Sequence, residues 1–257
     1  MTAEPSSPPR KKSVALSGVV AGNTALCTVG RSGNDLHYRG YDILDVAETC
    51  EFEEIAHLLV HETLPTRAEL AAYRAEPEGP ARGGIVVIQE IFGVNAHIRD
   101  VTDRYAAAGY LAIAPAVFDR VERGVDLDYT SEGMQAGIAI ARGGGLDFAK
   151  VLADVRAAGT HVASAGKVGI VGYCFGGSVT AAACIQAADV FSAGSGYYGS
   201  NVVNMIGQQP VAPLQLHFGE LDHGIPMTDV QKITEAWANT DVYVYQAEHG
   251  FHCDQRA

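Results

Sequence analysis

Apolar and polar residues follow two different rhythms along this chain, and the change falls near Glu76. Beyond it, Gly84-Ile85-Val86-Val87-Ile88-Gln89 is a continuous apolar run, the pattern of a strand buried on both faces. Ile98, Val101 and Tyr105 then recur on one helical face, which predicts a helix from near Asn95 that stops at Gly109. Residues 110–114 read as the next strand, closed by Pro115, and residues 147–158 as a helix with Val151 and Val155 four apart. Strands at 167–172, 213–218 and 241–246 alternate with helices at 177–188 and near 228–239. Repeated strand–helix units predict an α/β fold, a mostly parallel sheet with helices on both faces.

Before Glu76 no apolar strand of that kind occurs. Leu36 to Tyr41 alternates, as a short strand or hairpin arm would. Phe52, Ile55, Ala56 and Leu59 mark one helix face, and Thr66-Arg67-Ala68-Glu69 is a capping-box pattern after Pro65. This predicts a small, mostly helical segment over residues 13–73. It follows a Pro-, Ser- and charge-rich tail over 1–12 and precedes the α/β domain over 74–257.

Composition narrows the function classes. Apolar residues make up 47% of the 257, enough for a buried core. A net charge of −12 speaks against nucleic acid or anionic lipid as partners, although one local arginine can still hold a small anion. The five cysteines, Cys27, Cys50, Cys174, Cys184 and Cys253, form no C-x-x-C pair, and so odd and sparse a set predicts a reduced, cytoplasmic setting rather than a disulfide scaffold. The basic trio Arg10-Lys11-Lys12 imitates a signal peptide, but Ser and Gly break the apolar run after it. No stretch is long enough to span a membrane.

The strongest chemical motif is Gly172-Tyr173-Cys174-Phe175-Gly176, followed by Gly177. It is a G-x-S-x-G elbow with Cys in place of Ser, set between a predicted strand and a predicted helix. That context makes Cys174 a nucleophile near a helix N-terminus, where the thiolate is favoured. Cys184, inside an alanine-rich helix, reads as a buried structural residue. A thiol needs a base and the base an orienting acid, in the chain order nucleophile, acid, histidine. Asp222 and His249 follow predicted strands in that order, with Glu220 and His252 as rivals. His249, His252, Cys253 and Asp254 match no standard zinc spacing, so neither metal nor cofactor is expected. Arg142-Gly143-Gly144-Gly145 lacks the Lys-Ser/Thr of a phosphate loop and reads as an interhelical loop.

Three segments, Gln89-Glu90-Ile91-Phe92-Gly93-Val94-Asn95, Gly172 to Gly177 and His249-Gly250-Phe251, resemble the signatures of the dienelactone hydrolase family over roughly residues 72–257. The resemblance implies Cys174 as nucleophile, His249 as base, Asp222 as its orienter and Glu90 as the glutamate that helps generate the thiolate. It implies an oxyanion hole from the backbone N–H groups of Ile91 and Phe175, and Arg120 as a ligand of the substrate carboxylate. Where the family carries a second arginine, four residues after the histidine, this chain has Cys253. Relative to the family, the match also lacks the opening strands and the closing helix.

Ala25-Leu26-Cys27-Thr28-Val29-Gly30, Asn34 to Ile43 and Glu53 to Leu59 resemble the N-terminus of citrate and 2-methylcitrate synthases, over roughly residues 13–73. That family's catalytic residues lie far downstream and have no counterpart here, so His37, His57 and His61 read as structural or exposed. The two resemblances meet at Glu69 to Glu76, as a fusion would leave them. The leading expectation is a carboxymethylenebutenolidase-like hydrolase that cleaves a lactone or carboxylic ester, anionic ones included, through a cysteinyl acyl intermediate. The alternative is a non-catalytic fusion or interaction protein. In either case the apolar helix face of the N-terminal segment predicts self-association.

Overall fold

The computed structural model describes residues 27–29, 36–49, 55, 58–59 and 72–256, and the chain divides between Pro65 and Thr66 into two units. In the first, strands β1 (Cys27–Val29), β2 (Leu36–Tyr38) and β3 (Tyr41–Asp42) form an antiparallel sheet ahead of helix α1 (Ile43–Thr49). The alternation at Leu36 to Tyr41 is therefore a hairpin. Its two turn residues, Arg39 (φ 50°) and Gly40 (φ 92°), both have the positive φ that tight hairpin turns demand. Leu58, outside the expected apolar face, is fully buried, while Ile55 and Leu59 are half-buried. Phe52, Ala56, the 66–69 capping pattern and the 1–12 tail lie outside the described residues.

The second unit is built on seven strands: β4 (Ala72–Ala75), β5 (Gly84–Ile88), β6 (Leu111–Pro115), β7 (Val168–Tyr173), β8 (Phe191–Tyr197), β9 (Leu214–Gly219) and β10 (Asp241–Tyr245). They lie in the order β10-β9-β8-β7-β5-β6-β4, parallel throughout except for β4 at one edge. Ala72 already pairs with Pro115, so this sheet begins two residues ahead of the domain boundary expected from sequence. The helices are α2 (Ala96–Ala107), α3 (Ser131–Arg142), α4 (Phe148–Val162), α5 (Phe175–Gln186) and α6 (Met227–Ala236). The steps β5→β6 and β6→β7 run in opposite directions across the sheet. Right-handed crossovers therefore set α2 and α4 on opposite faces.

Local signals explain where the elements start. Asn95 caps α2, its side chain accepting the Ile98 N–H at 3.2 Å, and Asp147 caps α4 by accepting the Ala149 N–H at 2.9 Å. Val86, Val87 and Ile88 of β5 are wholly buried, as the unbroken apolar run requires. Arg142 ends α3 and Gly143 to Gly145 open the loop to α4, in keeping with the reading of this segment as an interhelical connection.

In this unit strand β4, helix α3 and strand β8 were not expected. Helix α3 (SEGMQAGIAIAR) has its apolar period interrupted by Gly133 and Gly137. Strand β8 (FSAGSGY) has the composition of a loop. It is a strand because α5 packs so closely on it that side chains do not fit. A Cβ at Gly194 would lie 2.4 Å from Cys184 Sγ. Gly194→Ala should therefore destabilise the protein by about 1–3 kcal/mol through overpacking. Adding Cys184→Ala should restore part of that loss, read as the urea midpoint of each variant. Equal midpoints for wild type and Gly194→Ala would contradict the tight contact.

Candidate active site

The nucleophile elbow is where β7 turns into α5. Cys174 is the N-cap of α5, with φ 53° and ψ −110°, a conformation that a side-chain-bearing residue adopts only under constraint. The neighbours supply that constraint. A Cβ on Gly172 would lie 2.1 Å from the Gly176 carbonyl oxygen, and one on Gly176 would lie 2.4 Å from the Ile88 oxygen. Strand and helix can thus pass at backbone distance only because both positions are glycine. The Cys174 N–H is tied to the Tyr197 carbonyl at 3.0 Å and the Gly176 N–H to the Gln89 carbonyl at 3.1 Å. The second bond pins the loop that carries Glu90 and Ile91 against the start of α5. Phe175 is the first residue of that helix, so its N–H has no intrahelical acceptor.

Asp222 and His249 follow β9 and β10 and meet directly. His249 Nδ1 lies 2.6 Å from one carboxylate oxygen of Asp222, and the Gly224 N–H donates to the other at 2.8 Å. The Asp222 side chain is 1% exposed and that of His249 29%. A carboxylate only accepts, so Nδ1 carries the proton and Nε2 is left as the basic nitrogen. Tyr198 follows β8, between the elbow and this pair, and its ring stands 5.0 Å from that of His249. The rivals fall away on geometry. Glu220 is exposed. His252 lies against Tyr173 (4.6 Å) and Tyr197 (5.0 Å), and burial, then His97 and Arg104, push its pKa down to about 4. Burial likewise pushes the Cys184 thiol up to about 12, which makes it inert near neutral pH.

Glu90 is fully buried at the exit of β5 and accepts the Tyr129 hydroxyl at 2.8 Å. Burial, and then the charge of Glu90, raise the Tyr129 pKa, so the phenol stays a donor. Tyr129 precedes α3 in an acidic, polar stretch, and nothing in its sequence context marked it. The buried His97 was also missed, hidden as one polar residue at the start of α2.

Arg120, expected to hold a substrate carboxylate, pairs instead with Asp154. It lies on the short 3-10 turn Val117–Arg120 after β6, and its Nε and Nη2 both donate to the Asp154 carboxylate of α4 at 2.5 Å. A guanidinium already engaged by two oxygens of one carboxylate has a partner for its charge, and the expected substrate carboxylate would have to displace Asp154.

A mostly parallel sheet with a cysteine at a strand–helix elbow and an acid–histidine pair at the carboxyl ends of its strands has the arrangement of an α/β-hydrolase fold. Residues 70–257 match the family model "Dienelactone hydrolase family", and the chain belongs to that family. A Synechocystis protein named "Putative carboxymethylenebutenolidase" is 35% identical over 217 residues, covering 76% of this chain and 87% of that one. A solved structure titled as a "Putative Dienelactone Hydrolase" from Klebsiella pneumoniae superposes with a TM-score of 0.61 at 27% identity, covering 72% and 84% of the two chains.

Residues 15–113 match a second model, "Citrate synthase, C-terminal domain". A 2-methylcitrate synthase of Shewanella oneidensis is 47% identical over 89 residues, which cover 34% of this chain and only 24% of that enzyme. The chain thus joins a synthase-like segment to a hydrolase domain. The two matches overlap over 70–113, on strands that the structure gives to the hydrolase sheet.

Proposed function

We propose that the second unit hydrolyses a lactone or carboxylic ester through a cysteinyl acyl intermediate. The observation that carries this reading is the pair of buried Asp222 and partly exposed His249, 2.6 Å apart, at the same sheet end as the positive-φ elbow at Cys174. Glu90 helps draw the proton from Cys174, and the thiolate attacks the substrate carbonyl. The N–H groups of Ile91 and Phe175 stabilise the oxyanion. Collapse breaks the C–O bond, the departing oxygen takes up the proton that Glu90 drew from Cys174, and a thioester remains on Cys174. His249, oriented by Asp222, removes a proton from water. The resulting hydroxide attacks the thioester, the acid leaves, and the proton held by His249 returns to the Cys174 sulfur. No cofactor enters this scheme.

The same reading bears on the substrate. Asp154 holds Arg120, and Cys253 stands where the family's second arginine would be, so we assign a preference for neutral over carboxylate-bearing esters.

Cys174→Ala should abolish turnover on a panel of esters and lactones without shifting the melting temperature by more than a few degrees. In the wild type, Cys174 should be alkylated well ahead of Cys184, read by peptide mapping. Wild-type turnover by Cys174→Ala would remove the nucleophile from this account. An inactive wild type whose Cys174 reacts no faster than free cysteine would favour a non-catalytic fusion protein.

Asp154→Ala should release Arg120 and lower KM for acidic esters relative to neutral ones of the same size. The charge-assisted bond gained is worth about 1.5–3 kcal/mol at most. An unchanged ratio would place Arg120 outside the substrate's reach.

A further inference from the structure

Outside the acid–histidine pair, the structure gathers a second set of reactive side chains from three distant parts of the sequence. Glu90 leaves β5, His97 lies in the first turn of α2, and Cys253 follows the catalytic histidine loop. One carboxylate oxygen, one ring nitrogen and the sulfur all lie within 4.8 Å of one another. The three residues are 0%, 1% and 6% exposed. We propose that Glu90, His97 and Cys253 form a binding site for a divalent cation of the zinc type.

The chemistry of the donor set points to that class of ion. A carboxylate, an imidazole and a thiolate together suit a borderline-soft cation far better than magnesium or calcium, which take all-oxygen shells. Ligand bonds of about 2.0–2.3 Å in a tetrahedral shell put donors roughly 3.3–3.8 Å apart. The three donor atoms lie within 4.8 Å of one another, so they need to close by only about 1 Å to meet that shell. Three protein ligands leave a fourth position for water.

The surroundings resemble an outer shell. Tyr129 donates to the Glu90 carboxylate at 2.8 Å and fixes its orientation, as groups behind metal ligands do. His97 is held at a defined place because Asn95 caps the helix that carries it and also donates to the Leu127 carbonyl at 3.1 Å. The chain's net charge of −12 raises the local concentration of cations. On binding, Cys253 releases its proton to the buffer and the metal–sulfur bond replaces it.

One consequence rests on the proposed function above. A Glu90 carboxylate bound to a cation cannot accept the proton of Cys174, so occupation of the site switches the hydrolase off.

The test uses the full chain and Zn²⁺ or Co²⁺ alone. Competition with a chromophoric chelator should show one Zn²⁺ per chain. Co²⁺ should produce a thiolate-to-metal absorption band in the near ultraviolet. Both signals should survive in Cys174→Ser, which removes the rival thiol. Cys253→Ser and His97→Ala should each weaken Zn²⁺ binding ~10-fold or more, and circular dichroism should show both variants folded. Absence of binding would overturn the site. So would binding that is lost in Cys174→Ser and kept in Cys253→Ser, because the ion would then sit on the nucleophile. These readouts stand whether or not the protein hydrolyses any ester. If it does, Zn²⁺ should inhibit the wild type and spare Cys253→Ser. Zn²⁺ bound at the site without inhibition would overturn the part given to Glu90 in thiol activation and leave the site standing.

Discussion

The close passage of α5 across the sheet is the constraint on which the rest of this unit depends. Gly172 and Gly176 let the backbone of β7 and that of α5 approach within a distance no Cβ would tolerate, and β8 matches this with a glycine of its own at Gly194. The cost is a positive φ at Cys174, a residue with a side chain. The gain is a thiol presented at the sheet end, at the head of a helix whose first N–H groups lack acceptors. The hydrogen bonds from Cys174 to Tyr197 and from Gly176 to Gln89 then register the neighbouring strands against that turn. Glu90, Tyr198, Asp222 and His249 all follow strands of the same parallel sheet, so one packing decision fixes the placement of them all.

Around that turn the polar groups divide into two connected sets. In one, Asp222 accepts the Gly224 N–H with one oxygen and His249 Nδ1 with the other, which fixes the ring's orientation. In the other, Glu90 and Tyr129 are joined by a hydrogen bond and lie beside His97 and Cys253. Cys253 adds a sulfur to this second set, which makes it the donor set that we propose a borderline-soft cation fills. The described residues of the synthase-like segment form a hairpin and a helix, and the stretch where both family models match belongs structurally to the hydrolase sheet.

The centre of the second unit could be read from sequence because β5, β6 and β7 are buried on both faces and so are apolar almost without interruption. The elbow motif was legible for a similar reason, since its glycines are demanded locally by the turn they make. Asp222 and His249 were found by chain order and by their position after strands, and their contact is what the order anticipated. What stayed hidden depends on contacts between distant segments. Strand β8 looks like a loop because its composition answers to α5 and not to its own backbone preference. Tyr129 and His97 are isolated polar residues until the fold carries them to Glu90. Arg120 was placed by resemblance alone, and Asp154, thirty-four residues further along, is what its guanidinium meets. In the first unit the alternation over Leu36 to Tyr41 showed the hairpin, whereas β1, three residues long, is too short for a period to appear.

The covalent intermediate is the centre of the account and can be observed directly. An activated ester is mixed with the protein, quenched in acid during turnover, and the protein is mapped by mass spectrometry. The account predicts one acyl group, on Cys174, present at higher occupancy in His249→Asn, where deacylation lacks its base. An acyl group on another residue, or active turnover with no adduct in either protein, would contradict it.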